Sequence, residues 1–422
     1  MATNIFSIKN LFPNLQKNYS QLLIWFSVGL WIFLSPMQDL SKIPIGPFFL
    51  RIGYMGFLII IPILFLNYKK YWDVIKIEPL FLLCCLIVAY NILLLIHHTN
   101  LRTIGFLVWL IFNCIFLLIS SQISFNLLFK LVLFSQIINS LYIILSNYFP
   151  SHLILPANFN HYNFMGHVRS YAFLGEPSYV SLLFFPTLIL SNCYLTFEKR
   201  FITNLLLITA LGLTYARISM LCLALLPFVL ISTKFSRSNY LKAFFIPFLI
   251  SATIIVLSNP IFWGFSSDSQ SIINPDSISR TINKGSTPTR INAFRQGWFA
   301  FKKNPLYGVG LGNSKNYLSQ KNSDNNNVSN NPTGLHNLFL EIIVEQGVIG
   351  FTLFLLLLAR IVHLNITYKW KPTATALLAL IFVPMQLSQN VNMPAMWIFL
   401  SLACAEIFQK QKKLEMPTVQ HI

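Results

Sequence analysis

The sequence predicts an all-α, polytopic membrane protein of about twelve transmembrane helices, with one long periplasmic loop between the ninth and the tenth. Three observations carry this expectation. Of 422 residues, 55% are hydrophobic and 10% charged, with mean hydropathy +0.63. A water-soluble globule of that composition would have to expose large apolar patches. Apolar runs long enough, or nearly long enough, to cross a bilayer recur along the chain. Lys and Arg number 30 against 12 Asp and Glu, a net charge of +18, and they gather in alternate connections, as short cytoplasmic loops require. A soluble enzyme and a DNA-binding module are both excluded; the positive excess reports topology and lipid contact, so membrane lipid and not nucleic acid is the expected partner.

The first apolar run, residues 21–34, comes after a polar stretch with Lys9 and Lys17 and precedes no small-residue cleavage site, so it is expected to stay as a signal anchor. Further spans are read at 48–66, 79–96, 104–120, 125–148, 173–195, 201–214, 218–232 and 244–257, and the last three at 342–359, 373–387 and 394–408. With both termini inside, the inner connections hold Lys69, Lys70 and Lys76, then Lys199 and Arg200, then Lys234, Arg237 and Lys242, then Arg360, Lys369 and Lys371, then Lys410, Lys412 and Lys413. The short outer loops hold only Lys42, Arg102, Arg169 and Arg217, with Arg51 near a helix end. The chain thus divides into three regions: helices one to nine over 1–257, the outer loop over 258–341, and helices ten to twelve with a cytoplasmic tail over 342–422.

Residues 201–232 admit a second reading, as one overlong helix, but that would turn every later basic cluster outward. Two short helices with a turn at Tyr215 to Arg217 are therefore expected. About 14 helical residues cover only about 21 Å of a roughly 30 Å hydrocarbon core. Arg217 is thus placed below the outer surface, where an ionised side chain calls for a wet cavity or an anionic partner. The alternative is an arginine snorkelling to the headgroups.

The outer loop is Ser- and Asn-rich up to about Pro288. From Arg290, the residues Ile291, Phe294, Trp298 and Phe301 recur at helical spacing, with Arg295, Lys302 and Lys303 between them. This describes an amphipathic helix lying on the membrane or on the helix bundle, ended by Asn304-Pro305. The run Gly308-Val309-Gly310-Leu311-Gly312-Asn313 permits tight turns and close approach to a ligand. After an Asn-rich insert, a helix starts near His336-Asn337 and carries Glu341, Glu345, Gly347 and Gly350.

His336 alone would read as a helix cap. Arg169, Arg217 and Arg290 fall on the same side, and converging guanidinium groups hold phosphate or pyrophosphate through bidentate, charge-assisted bonds. A neutral imidazole beside such a group takes a proton from an attacking hydroxyl. Arg295 is a supporting candidate. Glu176, in Gly175-Glu176-Pro177-Ser178, needs a partner such as Arg169 or Arg217, and serves either as a helix-fixing ion pair or in catalysis. Glu341 and Glu345 share a helical face and suit a cation, although a wetted helix start is the preferred reading. There is no Asp-x-Asp motif, so chemistry without a metal or other cofactor is expected. The six cysteines fall in apolar runs and read as small buried hydrophobes.

The segment Arg290 through Gly312, with Asn304-Pro305-Leu306-Tyr307-Gly308-Val309-Gly310, then His336-Asn337 and Glu345-Gln346-Gly347-Val348-Ile349-Gly350, resembles the O-antigen polymerase and O-antigen ligase superfamily of bacterial polysaccharide assembly. The resemblance implies a C-type glycosyltransferase-like fold in the bacterial inner membrane and a glycan donor linked to undecaprenyl pyrophosphate. It assigns Arg290 and Arg217 to the pyrophosphate and His336 as base or acceptor-positioning residue. It also implies a chain-length regulator protein as a candidate partner. Arg169, ahead of Glu176-Pro177-Ser178, looks like the arginine before the Glu-Pro-Ser segment of many polymerases, which favours polymerase over ligase. The rival from another class is a lipid-linked glycan flippase or transporter, for which inverted repeats or paired broken helices would speak; the sequence shows neither.

Overall fold

The computed structural model describes residues 12–36, 42–45, 48–66, 79–97, 100–148, 163–164, 167–168, 174, 177–214, 216–232, 286–315, 317, 335, 337–367, 372–386 and 394–415. Its helices are α1 (Phe12–Leu34), α2 (Gly56–Leu66), α3 (Pro79–His97), α4 (Leu101–Ser120), α5 (Phe125–Tyr148), α6 (Pro177–Tyr194), α7 (Phe197–Leu213), α8 (Arg217–Ser232), α9 (Ser286–Lys303), α10 (Leu338–Thr367), α11 (Pro372–Phe382) and α12 (Pro394–Glu415). Four of these regions are long and apolar enough to cross a membrane: Pro79–His97, Leu101–Ser120, Phe125–Asn147 and Leu338–Leu364. Shorter apolar helices cover Gln21–Leu34, Ile52–Phe65, Ser178–Tyr194, Ile218–Leu230, Pro372–Phe382 and Pro394–Phe408. The expected span over 244–257 lies outside the described residues.

Two short antiparallel hairpins interrupt the helical pattern. Strand β1 (Lys42–Ile45) pairs with β2 (Phe48–Arg51), and β3 (Asn163–Phe164) with β4 (His167–Val168). The run expected to be helical from residue 48 is therefore a strand over its first four residues and a 3-10 turn over Ile52–Met55. The preceding Pro44-Ile45-Gly46-Pro47 is the local cause: two prolines and a glycine break a helix, whereas a two-stranded ladder tolerates the missing N–H of Pro44 opposite Phe49.

Burial separates central from peripheral helices. Residues 180–192 of α6 and 394–407 of α12 are buried on every side, as expected of helices apolar all round. α12 packs on α4, α5, α6, α10 and α11. α3 keeps Leu93 and Ile96 exposed at 60% and 72%, a surface suited to lipid.

The break expected near Tyr215 is present, since α7 ends at Leu213 and α8 begins at Arg217. Thr214 holds it: its Oγ1 donates to the Leu211 carbonyl at 2.7 Å, accepts from the Ala216 N–H at 3.3 Å and lies 3.0 Å from Ser219 Oγ. At the other end of the bundle, Tyr194 of α6 and Thr373 of α11 each donate to a different oxygen of Glu406 on α12, both at 2.6 Å. Asn192 and Asn204 exchange amide hydrogen bonds at 3.1 and 3.0 Å, joining α6 to α7. Arg200 is buried and donates to the Leu195 carbonyl at 2.6 Å. Polar side chains between helices are at home here, because lipid offers them no alternative partner.

Candidate functional site

α9, the glycine run and the start of α10 meet at the end of the bundle that holds the α3–α4 turn, the end expected to be outer from the charge distribution. α9 packs on α10 through its small residues: Ala293 and Ala300 are buried, and a Cβ on Gly297 would meet Leu335 at 2.6 Å and Leu340 at 3.3 Å. Ala300, Val309, Leu335, Leu340 and Val344 form one apolar cluster, tying together α9, the glycine run and the start of α10. Of the two expected settings for the aromatic stripe, membrane or helix bundle, the bundle does not take it: Phe294 and Trp298 are exposed at 50% and 43%. Small side chains let two helix backbones approach closely, which the aromatic edge would prevent.

α10 is broken in the middle. Gly347 has φ 64° and ψ −168°, a left-handed φ that a side chain resists. The break frees backbone groups that an α-helix would pair internally, and the loop after α9 takes them up. Val309 N–H donates to the Val344 carbonyl at 2.9 Å and Gly310 N–H to the Glu345 carbonyl at 2.9 Å, while Val348 N–H donates to the Pro305 carbonyl at 2.8 Å. This exchange leaves those groups of the kink paired in a low-dielectric setting, where an unmatched amide is costly.

The Glu345 carboxylate closes the joint. It is buried and accepts from Gly312 N–H at 2.8 Å, from Ser314 Oγ at 2.7 Å and from Ser314 N–H at 3.4 Å. The Arg102 guanidinium on α4 acts on it electrostatically and lies 5.7 Å from the Phe106 ring centroid. α3 grips the other side of the kink: Tyr90 Oη donates to the Gln346 carbonyl at 2.6 Å, and Asn91 Nδ2 to Gln346 Oε1 at 3.3 Å.

Two readings of the sequence are corrected by this geometry. The glycine run closes on the α10 backbone and serves close protein packing, with the Glu345 carboxyl accepting its hydrogen bonds. Glu341 and Glu345 do not form a wetted helix start, since they are 5% and 2% exposed. Glu345 is buried by the glycine run returning over α10, which helical spacing alone did not reveal.

Of the site residues expected from sequence, Arg217 is the first residue of α8, at the Thr214 turn, and Arg290 lies in the second turn of α9. Arg295 is on the exposed face of α9. Arg169, Glu176 and His336 lie outside the described residues. The neighbours of His336 are fixed, however: Leu335 is buried against α9, and Asn337 Oδ1 accepts from Leu340 N–H at 2.9 Å, capping α10. Sequence reasoning missed Tyr90, Asn91 and Gln346 in the joint; a Gln beside Gly347 in an apolar helix was the available signal.

Fold and joint together define a polytopic membrane protein, mainly helical, whose α9 and adjoining loop are locked onto a kinked apolar helix. Residues 202–355 are similar to the O-antigen ligase family. The match runs from α7 through α8 and α9 into α10 and so includes Arg217, Arg290 and His336. No curated protein matches the chain.

Proposed function

We propose that the protein polymerises oligosaccharide repeat units carried on undecaprenyl pyrophosphate, by metal-independent glycosyl transfer at the outer face of the bacterial inner membrane. The observation that carries this reading is the family match over 202–355. Support also comes from the content of that stretch, which includes Arg217 at the start of α8, Arg290 within α9 and His336 next to the Asn337 cap in sequence.

In this reading Arg217 and Arg290, with Arg169, bind the pyrophosphate. His336 accepts the proton from an acceptor sugar hydroxyl as that oxygen attacks the anomeric carbon. The bond from that carbon to the pyrophosphate oxygen breaks, and its electron pair leaves with the pyrophosphate. Guanidinium groups that hold the leaving group more tightly as its charge grows lower the barrier. Glu345 does not take part, because both its oxygens are committed to the loop.

The O-antigen ligase description of the matched family favours a second reading, transfer of the finished glycan to lipid A-core. Deleting the gene and resolving the surface glycan on a gel separates the two. Loss of a polymerase leaves a single repeat on lipid A-core, and this is the expected result. Polymer retained on the lipid carrier indicates a ligase, and an unchanged ladder overturns both.

A further inference from the structure

α9 presents two faces of different character. Ala293, Gly297 and Ala300 are buried on α10, whereas Phe294, Trp298 and Phe299 are 50%, 43% and 58% exposed, and Arg295, Lys302 and Lys303 are exposed beside them. At about 100° per residue, Phe294 and Trp298 share one edge, and Lys302 and Arg295 lie within about 60° of Trp298. The helix, STPTRINAFRQGWFAFKK, contains no acidic residue.

The loop at the C-terminal end of α9 fixes the height of this helix. Tyr90 Oη of α3 lies 3.4 Å from the Leu306 carbonyl, and the Tyr307 ring is 6.3 Å from His97, the last residue of a helix long enough to cross a membrane. Leu306 and Tyr307 are exposed at 55% and 52%, as Leu93 and Ile96 of α3 are at 60% and 72%. The C-terminal end of α9 is therefore level with the point where α3 leaves the hydrocarbon.

We propose that the exposed face of α9 is seated in the outer leaflet of the surrounding bilayer, with Phe294 and Trp298 at the acyl boundary and Arg295 and Lys302 on the phosphates of anionic phospholipids. Amphipathic helices with aromatic and basic residues on adjoining edges bind membranes in this way. A second copy of the chain is a poor occupant, because a two-fold contact would set one acid-free basic face against another. Its consequence is that the bilayer itself sets the height of the α9 backbone, including position 290. The inference takes the outer side from the charge distribution and does not depend on the transferase reading.

The test uses the full-length chain in its native membrane with the photo-crosslinking residue p-benzoylphenylalanine at Phe294 or Trp298, and at Gln296 as comparison. After irradiation the intact mass is measured. Positions 294 and 298 are expected to gain one phospholipid, several-fold more often than position 296. Unmodified protein or a crosslinked dimer at 294 and 298 overturns the proposal. In nanodiscs mixing zwitterionic and anionic phospholipid, adducts at 298 are expected to be several-fold enriched in the anionic lipid, and Arg295→Glu with Lys302→Glu to abolish that enrichment. Adducts in the bulk ratio overturn the phosphate contact. Neither readout needs turnover, so they stand or fall apart from polymer formation.

Discussion

Gly308 and Glu345 meet backbone to backbone: a Cβ on Gly308 would stand 2.5 Å from both the carbonyl carbon and the carbonyl oxygen of Glu345. On the other side of the same joint, a Cβ on Gly347 would run into the Leu306 carbonyl oxygen. The two glycines thus permit one another's contact, and three backbone hydrogen bonds form in the space they leave.

Gly308→Ala and Gly347→Ala should each loosen the joint. Both positions have a left-handed φ, 70° and 64°, costing a side chain about 1–2 kcal/mol before any clash. The obstructing atoms are backbone, which cannot swing aside. Protease cleavage between α9 and α10 in proteoliposomes should accelerate several-fold for either variant. The double variant should add little to the worse single one, since both break the same contact. Wild-type cleavage rates would show that the joint is not held there.

Glu345→Ala should destabilise the same joint by a different route. It leaves the Gly312 N–H and the Ser314 hydroxyl facing each other without their acceptor, at about 1–3 kcal/mol for each stranded group. Glu345→Gln keeps one acceptor oxygen but turns an amide donor toward another donor, so it should fall between Ala and wild type. Ser314→Ala should cost about 1 kcal/mol. The thermal inactivation midpoint of the purified protein should drop in the order Ser314→Ala, Glu345→Gln, Glu345→Ala.

Arg217→Ala and Arg290→Ala should abolish polymer while the protein still inserts, as read by glycan gel and membrane immunoblot. Lysine at either position should restore only part of the activity, because an ammonium supplies charge without the bidentate fork. His336→Ala should lower turnover far more than donor binding, and unchanged turnover would remove His336 from the proposed chemistry. Chelator treatment of membranes should leave the rate unchanged, because in the proposed mechanism guanidinium groups, not a metal, carry the leaving-group charge.

The periodic and charged features of the chain were legible before its structure. Long apolar runs gave α3, α4, α5 and α10, and the charge pattern required the break that Thr214 makes between α7 and α8. What sequence hid was direction. Phe294 and Trp298 repeat at helical spacing as well as Ala293, Gly297 and Ala300 do, and hydrophobicity alone ranks the aromatic edge as the buried one. Close helix packing selected the small edge instead. Glu345 was hidden for a related reason: a carboxylate near the start of a helix is ordinarily wet, and only the return of the glycine run over α10 supplies donors to bury it. The strand at Phe48–Arg51 escaped because its apolar residues suit a span, while the prolines that deny a helix lie upstream.

The far end of the bundle offers a test separable from the site. Tyr194 and Thr373 each donate to Glu406 at 2.6 Å, so one carboxylate bridges α6, α11 and α12. Side-chain hydrogen bonds between helices in membranes average about 0.6 kcal/mol, and bonds to a charged acceptor are about twice as strong. Tyr194→Phe and Thr373→Val should therefore each cost about 1 kcal/mol, read as earlier unfolding in an SDS titration of the detergent-solubilised protein. Their double variant should depart from the simple sum, because both hydroxyls donate to the same carboxylate. Polymer formed per folded molecule should stay at the wild-type level in Tyr194→Phe, since the bond lies at the opposite end from Gly347. A proportionate fall in turnover with no change in unfolding would show that this end is coupled to the chemistry.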